Sequence, residues 1–266
     1  MAGAAADEII VVCLKWGTAY PAHYVNVLRR AVAEHLRTPH RFVCLTDVAE
    51  GLDPAVKPID IPPFPLPRER WADGIWPKLT LFTPGLFPPG AVVLYLDVDI
   101  MVTGALDPLV DRVRAARGLH VIREWNPSLV RVLPLAWRPD RGANSSVVGF
   151  VAGEQDHILA RFKADPAAAL AAQRNDQEFI NAHAADKHYW PEPWCVSFKR
   201  ACVWYWPLNI VMRTIRQPKD ARVIVFHGRP NPTDLLCAPG VRWGARRKFG
   251  FGPVPWVVDY WRRFGG

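Results

Sequence analysis

The stretch Ala91–Thr103, AVVLYLDVDIMVT, runs six apolar residues straight into two carboxylates, Asp97 and Asp99. A short continuous run rich in Val and Leu predicts a central strand buried on both faces. Charged groups at the C-terminal end of such a strand stand where open α/β sheets bind ligands. Side chains alternate along a strand, so Asp97 and Asp99 share a side, about 6.6 Å apart along the rise if the strand continues that far. Two carboxylates so placed repel one another unless a cation lies between them, and carboxylate oxygens suit Mg²⁺ or Mn²⁺. A strand end with solvated acids in the next turn satisfies the same pattern.

On the N-terminal side, Glu8–Leu14 predicts a first buried strand that runs into the loop Lys15–Tyr20. Pro21 suits a first helical turn, and Val25, Leu28, Val32 and Leu36 then recur at helical spacing. Arg41–Leu45 is a second strand, which makes strand, helix and strand a right-handed βαβ unit. Six prolines in Asp53–Arg68 exclude a helix and leave one edge strand around Val56–Ile61. Trp76–Phe82, WPKLTLF, predicts a helical segment with Lys78 near its start.

On the C-terminal side, Leu106–Val113 predicts a helix and Leu119–Arg123 a strand. Glu124–Gly142 is a long irregular loop carrying Trp125, Trp137, Arg131, Arg138 and Arg141, and loops of that length are usually functional. Ser146–Val151 is strand-like, and Glu154–Ala164, Pro166–Gln173 and Asp176–Ala185 are helical. Trp194–Phe198 and Arg222–Phe226 are short strands, the second ending at His227-Gly228. The class is α/β, one domain over residues 1–240, with a mixed, mostly parallel central sheet flanked by helices.

Half of the 266 residues are hydrophobic and 22% are charged, which excludes global disorder. The net charge of +8 favours an anionic partner, and without a zinc-finger, RRM or basic-heptad pattern that partner is not nucleic acid. Five Cys without a CxxC pair suit a reducing compartment rather than a disulfide framework. The N-terminus lacks the charge pattern of a signal peptide, and no apolar run reaches spanning length, so a cytoplasmic location is expected. The tail 241–266 mixes Arg242, Arg246, Arg247, Lys248, Arg262 and Arg263 with Trp243, Phe249, Phe251, Trp256, Tyr260 and Trp261. Such a tail either wraps the domain with its Trp residues inward or touches an anionic membrane surface; its Gly and Pro interrupt a continuous amphipathic helix and favour the first.

Taken in order, these segments resemble the GT-A-fold nucleotide-sugar glycosyltransferases, nearest to the family 8 retaining enzymes and a bacterial subgroup of unassigned specificity. The resemblance runs from Ile9 to about Asp234 and implies a Rossmann-like GT-A domain. It places Leu14, Trp16 and Tyr20 of VVCLKWGTAY around a uracil base, and Lys78 at the donor's phosphate or sugar. Leu96-Asp97-Val98-Asp99 matches the metal-binding DxD segment, so Asp97 and Val98 also fall at the donor. Asn144-Ser145-Ser146 is similar to an Asn-Ser-Gly segment at the donor sugar, with Ser146 where the family has Gly. Asn175-Asp176-Gln177 resembles the Asp-Gln motif beside the transferred sugar, which makes Asp176 and Gln177 the implied catalytic residues. Val225-Phe226-His227-Gly228-Arg229 resembles a third signature, in which His227 completes the metal site with Asp97 and Asp99. Gly228 and Arg229 then lie at the donor, although Gly follows His directly here.

What this implies is transfer of a hexose from a UDP-sugar, with Mn²⁺ or Mg²⁺ acting on the leaving diphosphate and retention at the anomeric carbon. The acceptor is left open among glycan, lipid-linked and protein classes. A nucleotidyltransferase on a similar sheet is the first alternative, disfavoured by the single glycine in Leu14–Tyr20. A non-catalytic module that binds glycans or membrane surfaces through its Trp-rich loops is the second.

Overall fold

The computed structural model describes residues 8–127, 130, 133–245 and 247–265. Arg131 and Arg246 lie outside the described residues. The strands are β1 (Ile9–Lys15), β2 (Arg41–Thr46), β3 (Val56–Ile59), β4 (Val92–Leu96), β5 (Met101–Val102) and β6 (Leu119–Arg123). After them come β7 (Ala143–Val151), β8 (Lys187–Tyr189), β9 (Cys195–Ser197), β10 (Val223–Val225), β11 (Arg242–Ala245) and β12 (Lys248–Phe251). The helices are α1 (Ala22–His35), α2 (Asp107–Ala115), α3 (Asp156–Ala164), α4 (Pro166–Ala172), α5 (Asp176–His183), α6 (Leu208–Val211) and α7 (Pro255–Arg263).

Seven strands form the main sheet in the order β3-β2-β1-β4-β7-β6-β8, which puts β4 at its centre. β1 pairs in parallel with β2 and β4, β2 with β3, and β6 with β8; only β7 runs antiparallel to its neighbours. A smaller sheet, β5-β10-β9, stands beside it, and β11 and β12 form a hairpin. The period of two along the strands sorts the core into two layers. In β1, Ile9, Val11 and Cys13 face one layer with α1 and α2, while Ile10, Val12 and Leu14 face the other with α3 and α5. In β4, Val92, Leu94 and Leu96 join the first layer, and Val93 and Tyr95 the second.

Two expectations change in detail. The central strand stops at Leu96 and residues 98 and 99 form a turn, so strand alternation carries as far as Asp97 but does not reach Asp99 or set the spacing of the two acids. The Asp97 N–H still donates to the Ser146 carbonyl (2.9 Å), after which the chain leaves the main sheet to feed β5 of the small one. Trp76–Phe82 is a 3₁₀ rather than an α segment, with Pro77 in its first turn and every residue buried. The tail, in which Gly and Pro were expected to interrupt a continuous helix, is a hairpin followed by α7. Trp243, Tyr260 and Trp261 are buried in the same core layer as α1. The Val102 N–H donates to the Tyr260 hydroxyl (3.1 Å), and Arg30 donates to the Phe264 carbonyl (2.9 Å).

Close approach fixes two glycines. A Cβ on Gly149 in β7 would lie 2.6 Å from Val113 and 2.8 Å from Trp190. A Cβ on Gly74 would lie 2.8 Å from the Arg174 carbonyl, and Gly74's own carbonyl accepts from the Asp176 N–H (2.9 Å). The second contact pins the start of α5 against the 3₁₀ segment that carries Lys78.

Candidate active site

At the C-terminal end of β4, five polar side chains from four elements close on one another. The Lys78 ammonium lies 3.0 Å from Asp97 Oδ1 and 3.6 Å from Asp176 Oδ2, and donates to Ser145 Oγ (3.1 Å). Ser145 Oγ donates to Asp176 Oδ2 (2.7 Å), and the Tyr95 hydroxyl donates to Asp97 Oδ1 (2.5 Å). Lys78 also sits over the Tyr95 ring, 5.1 Å from its centroid. Lys78 and Asp176 are only 5% exposed at the side chain, whereas Asp97 is 22% exposed and so is the carboxylate of this group that reaches solvent.

The electrostatics follow from that packing. Burial pulls the Lys78 ammonium down, but Asp176 and Asp97 outweigh it and hold Lys78 above its ordinary value, so it stays charged. Burial pushes Asp176 up, and Lys78 and Ser145 offset this only in part. Asp99 is pushed up to about 7 by burial and by the charge of Asp97, against the lowering effect of the Tyr20 hydroxyl, which donates to its Oδ2 (2.8 Å). Burial, together with Asp99, raises the Tyr20 phenol, which keeps it a donor.

Beside this cluster lies an open, mostly polar cleft of about 320 Å³, lined by Asn144, Gln177 and His227 together with Glu124 and Arg141. Asn144 Nδ2 donates to Gln177 Oε1 (2.9 Å), and Asn144 Oδ1 accepts from the Ser146 N–H (3.0 Å), so the Asn144 amide is held from both ends. Asn175 caps α5 by accepting from the Glu178 N–H (2.9 Å). That cap stands one residue before the helix begins at Asp176, which turns inward to Lys78 while Gln177 faces the cleft.

No family model and no curated protein matches the sequence. Solved structures do. The galactosyltransferase LgtC, solved with donor and acceptor sugar analogues, aligns at a TM-score of 0.60 and 15% identity over 97% of each chain. GlyE, a glycosyltransferase of Streptococcus pneumoniae TIGR4, aligns at 0.57 and 11% identity over 97% of this chain and 62% of its own. The bifunctional glycosyltransferase WbbM gives 0.55 and 14% over 97% of this chain and 52% of its own. This chain has the GT-A glycosyltransferase fold.

Within the GT-A fold, the residues singled out in the sequence fall into three groups. Lys78, Asp97, Ser145 and Asp176 form the buried cluster, Tyr20 and Asp99 a second pair, and Asn144, Gln177 and His227 line the cleft. Leu14 and Val98 are buried in the two core layers. Trp16 is half-buried, edge-on to Trp71 with centroids 6.1 Å apart. Arg229 is not brought in: it is exposed and paired with Asp234.

His227 is held differently from the expected ligand set. Its Nε2 shares a hydrogen bond with Ser197 Oγ (2.7 Å), and its ring stacks on Trp125 (5.4 Å, 14°). Among the described residues, no three His, Cys, Asp or Glu side chains are gathered closely enough to hold a metal ion, so Asp97, Asp99 and His227 do not form a ready triad. Asp97 and Asp99 do carry carboxylate oxygens, the donor type a hard divalent cation takes. Two oxygen donors, one of them pushed up to about 7 partly by the other's charge, are relieved by a cation between them.

Sequence reasoning missed Tyr95, Ser197 and Lys199. Tyr95 was legible, two residues before Asp97 on the same strand face. Lys199 was not. It arrives from the turn Phe198–Cys202, its ammonium donates to the His227 carbonyl, and it lies 3.6 Å from where a Cβ on Gly228 would stand. The cation beside His227-Gly228 is thus Lys199 rather than Arg229.

Proposed function

We propose that the protein is a metal-dependent glycosyltransferase of the family 8 type that moves a hexose from a UDP-sugar to an acceptor hydroxyl with retention of configuration. The observation that carries this reading is the Lys78–Asp97–Ser145–Asp176 cluster beside a cleft that Asn144 and Gln177 line, at the end of the central strand of a GT-A fold. Transfer breaks the bond between the anomeric carbon and the diphosphate, which leaves with the electron pair, while the acceptor oxygen bonds to that carbon and its proton passes to the departing diphosphate. Mn²⁺ or Mg²⁺ held by Asp97 and Asp99 would supply Lewis-acid stabilisation of that leaving group.

The chain's own residues divide the rest of the work. Lys78 stays charged between two carboxylates and fixes Asp97 relative to Asp176, so it positions rather than touches the donor. Asp176 is spent on Lys78 and Ser145 and stands behind Gln177. Gln177, oriented by Asn144, presents its amide to the cleft, where the transferred sugar acquires oxocarbenium character. Lys199 sets a positive charge beside His227 at the edge of the same cleft. Tyr20, in the loop after β1, ties the expected base-binding segment to Asp99.

The test is release of nucleotide from UDP-, GDP- and ADP-sugars in Mn²⁺, with UDP binding followed by calorimetry. Turnover of UDP-glucose or UDP-galactose that vanishes in Asp97→Asn supports the reading. A protein that neither binds UDP with Mn²⁺ nor hydrolyses any of the donors overturns it. A nucleotidyltransferase has no observation in its favour, since the loop after β1 carries one glycine.

A further inference from the structure

The aromatic tail that the sequence offered to a membrane keeps Trp243, Tyr260 and Trp261 inside. Another segment takes the opposite course. Residues 205–212 hold Tyr205, Trp206, Ile210, Val211 and Met212 out to solvent, with Val211 81% and Ile210 50% exposed. Large side chains scattered singly on a surface need no explanation, but five within eight residues form a patch.

The patch is braced by the hairpin. Asn209 Nδ2, buried beneath it, donates to the carbonyls of Arg247 (3.3 Å) and Phe249 (3.2 Å). The Arg247 guanidinium lies over the Trp206 ring at 4.5 Å, Arg213 over Phe251 at 5.2 Å, and Arg216 over Trp204 at 4.2 Å. Aliphatic side chains therefore project from a surface whose polar groups are guanidinium ions stacked on aromatic rings. The sequence around it has one sign: residues 193–219 carry five Lys and Arg and residues 235–258 four, with no Asp or Glu in either.

We propose that α6 and the β11–β12 hairpin form a seat for an anionic lipid bilayer, with Trp206, Ile210, Val211 and Met212 entering the headgroup boundary and the arginines held at the phosphates. Three physical points select that occupant. Ile210, Val211 and Met212 gain only from a medium with hydrocarbon in it, which nucleic acid lacks. Trp and Tyr beside Arg is the composition that favours the boundary between hydrocarbon and water. A second copy docked through this same face would set like charge against like charge, whereas an acidic leaflet complements it. The seat is independent of the transfer chemistry. It adjoins the cleft through one connection, since Lys199, a few residues before the patch, touches the His227 carbonyl.

Co-sedimentation with vesicles of phosphatidylcholine, alone or mixed with phosphatidylglycerol, tests the seat without any substrate. The wild-type chain is expected to bind the mixed vesicles, to leave neutral ones, and to show a blue shift of Trp emission on binding. Ile210→Asp and Val211→Asp, at exposed positions that leave the thermal melt unchanged, are expected to lower the partition coefficient at least about tenfold. Arg213→Glu together with Arg247→Glu is expected to lower it and to flatten its salt dependence. The proposal fails if the wild-type chain ignores mixed vesicles or if the two Asp variants bind as well as the wild type. It fails equally if the patch is found covered in a dimer that Val211→Asp dissociates.

Discussion

Lys78 stands between Asp97 and Asp176 with almost no solvent to share the charge. In Lys78→Met the two carboxylates face each other across the space the ammonium filled, and breaking a buried ion pair from one side costs about 3–5 kcal/mol. Denaturant unfolding of that variant should show the loss, together with a further rise in the Asp176 pKa. Asp97→Asn keeps the shape of the side chain and leaves Lys78 paired with Asp176, so it should lose less stability than Lys78→Met yet at least about a hundredfold in turnover. His227 gives a pH test. Burial, Lys199 and Arg200 push it down to about 4, so its ring stays neutral through the physiological range. In the unfolded chain it takes up a proton near pH 6.5. The folded state therefore loses stability as pH falls from about 6.5 towards about 4, and keeps the full contribution above that window. An NMR titration of the ring in the metal-free protein should find its midpoint near 4, and Lys199→Met should raise it. At this scale the sequence displayed the carboxylates and the lysine, because their types are unusual at a strand end and in an apolar helix. It was silent on Ser197 and Lys199, whose importance comes only from where the second sheet sets them down.

At the scale of the element, continuous apolar runs in β1 and β4 made the main sheet legible, because each strand feeds two core layers and has no polar face. The strand boundary at Leu96 was not legible. Asp97 and Asp99 differ from a continued strand through the departure of the chain toward β5, whose Val102 and Met101 pair with Val223 and Ile224 of β10, 121 and 123 residues further along. Likewise WPKLTLF has the apolar spacing of a helix but packs as 3₁₀, every side chain being enclosed on the layer that holds α3 and α5. A close contact in the main sheet joins β7 to α2 and to the residue after β8. Gly149→Ala would drive a methyl into Trp190 and Val113, and overpacking of this kind costs about 1–3 kcal/mol, readable as a lowered thermal midpoint. Gly74→Ala presses instead on the Arg174 carbonyl and displaces the Asp176 N–H from its acceptor, so turnover should fall further than stability does.

For the whole molecule, the main sheet, the small sheet and the tail share one apolar layer, and α7 touches both α1 and β5 through Arg263–Glu34 and Tyr260–Val102. A chain ended at Gly240 should therefore expose Val102, Val223 and Trp256's partner Ile215, and show a lower melting point and soluble yield than the full chain. No helix among the described residues is long and apolar enough to cross a membrane. Fold class was readable from the order of apolar runs, whereas the fate of the tail turned on which Trp residues found room inside, and composition carries no information on that. The parity of β4 has one more consequence, for how this tract can vary. With odd-numbered side chains committed to the Lys78 layer and even-numbered ones to the other, swapping one aliphatic for another leaves the arrangement intact. A single residue inserted anywhere in Val92–Leu96 would turn the Asp97 carboxylate away from its ammonium partner and bring an aliphatic side chain to Lys78 in its place. Length, far more than identity, is what this tract has no freedom to change.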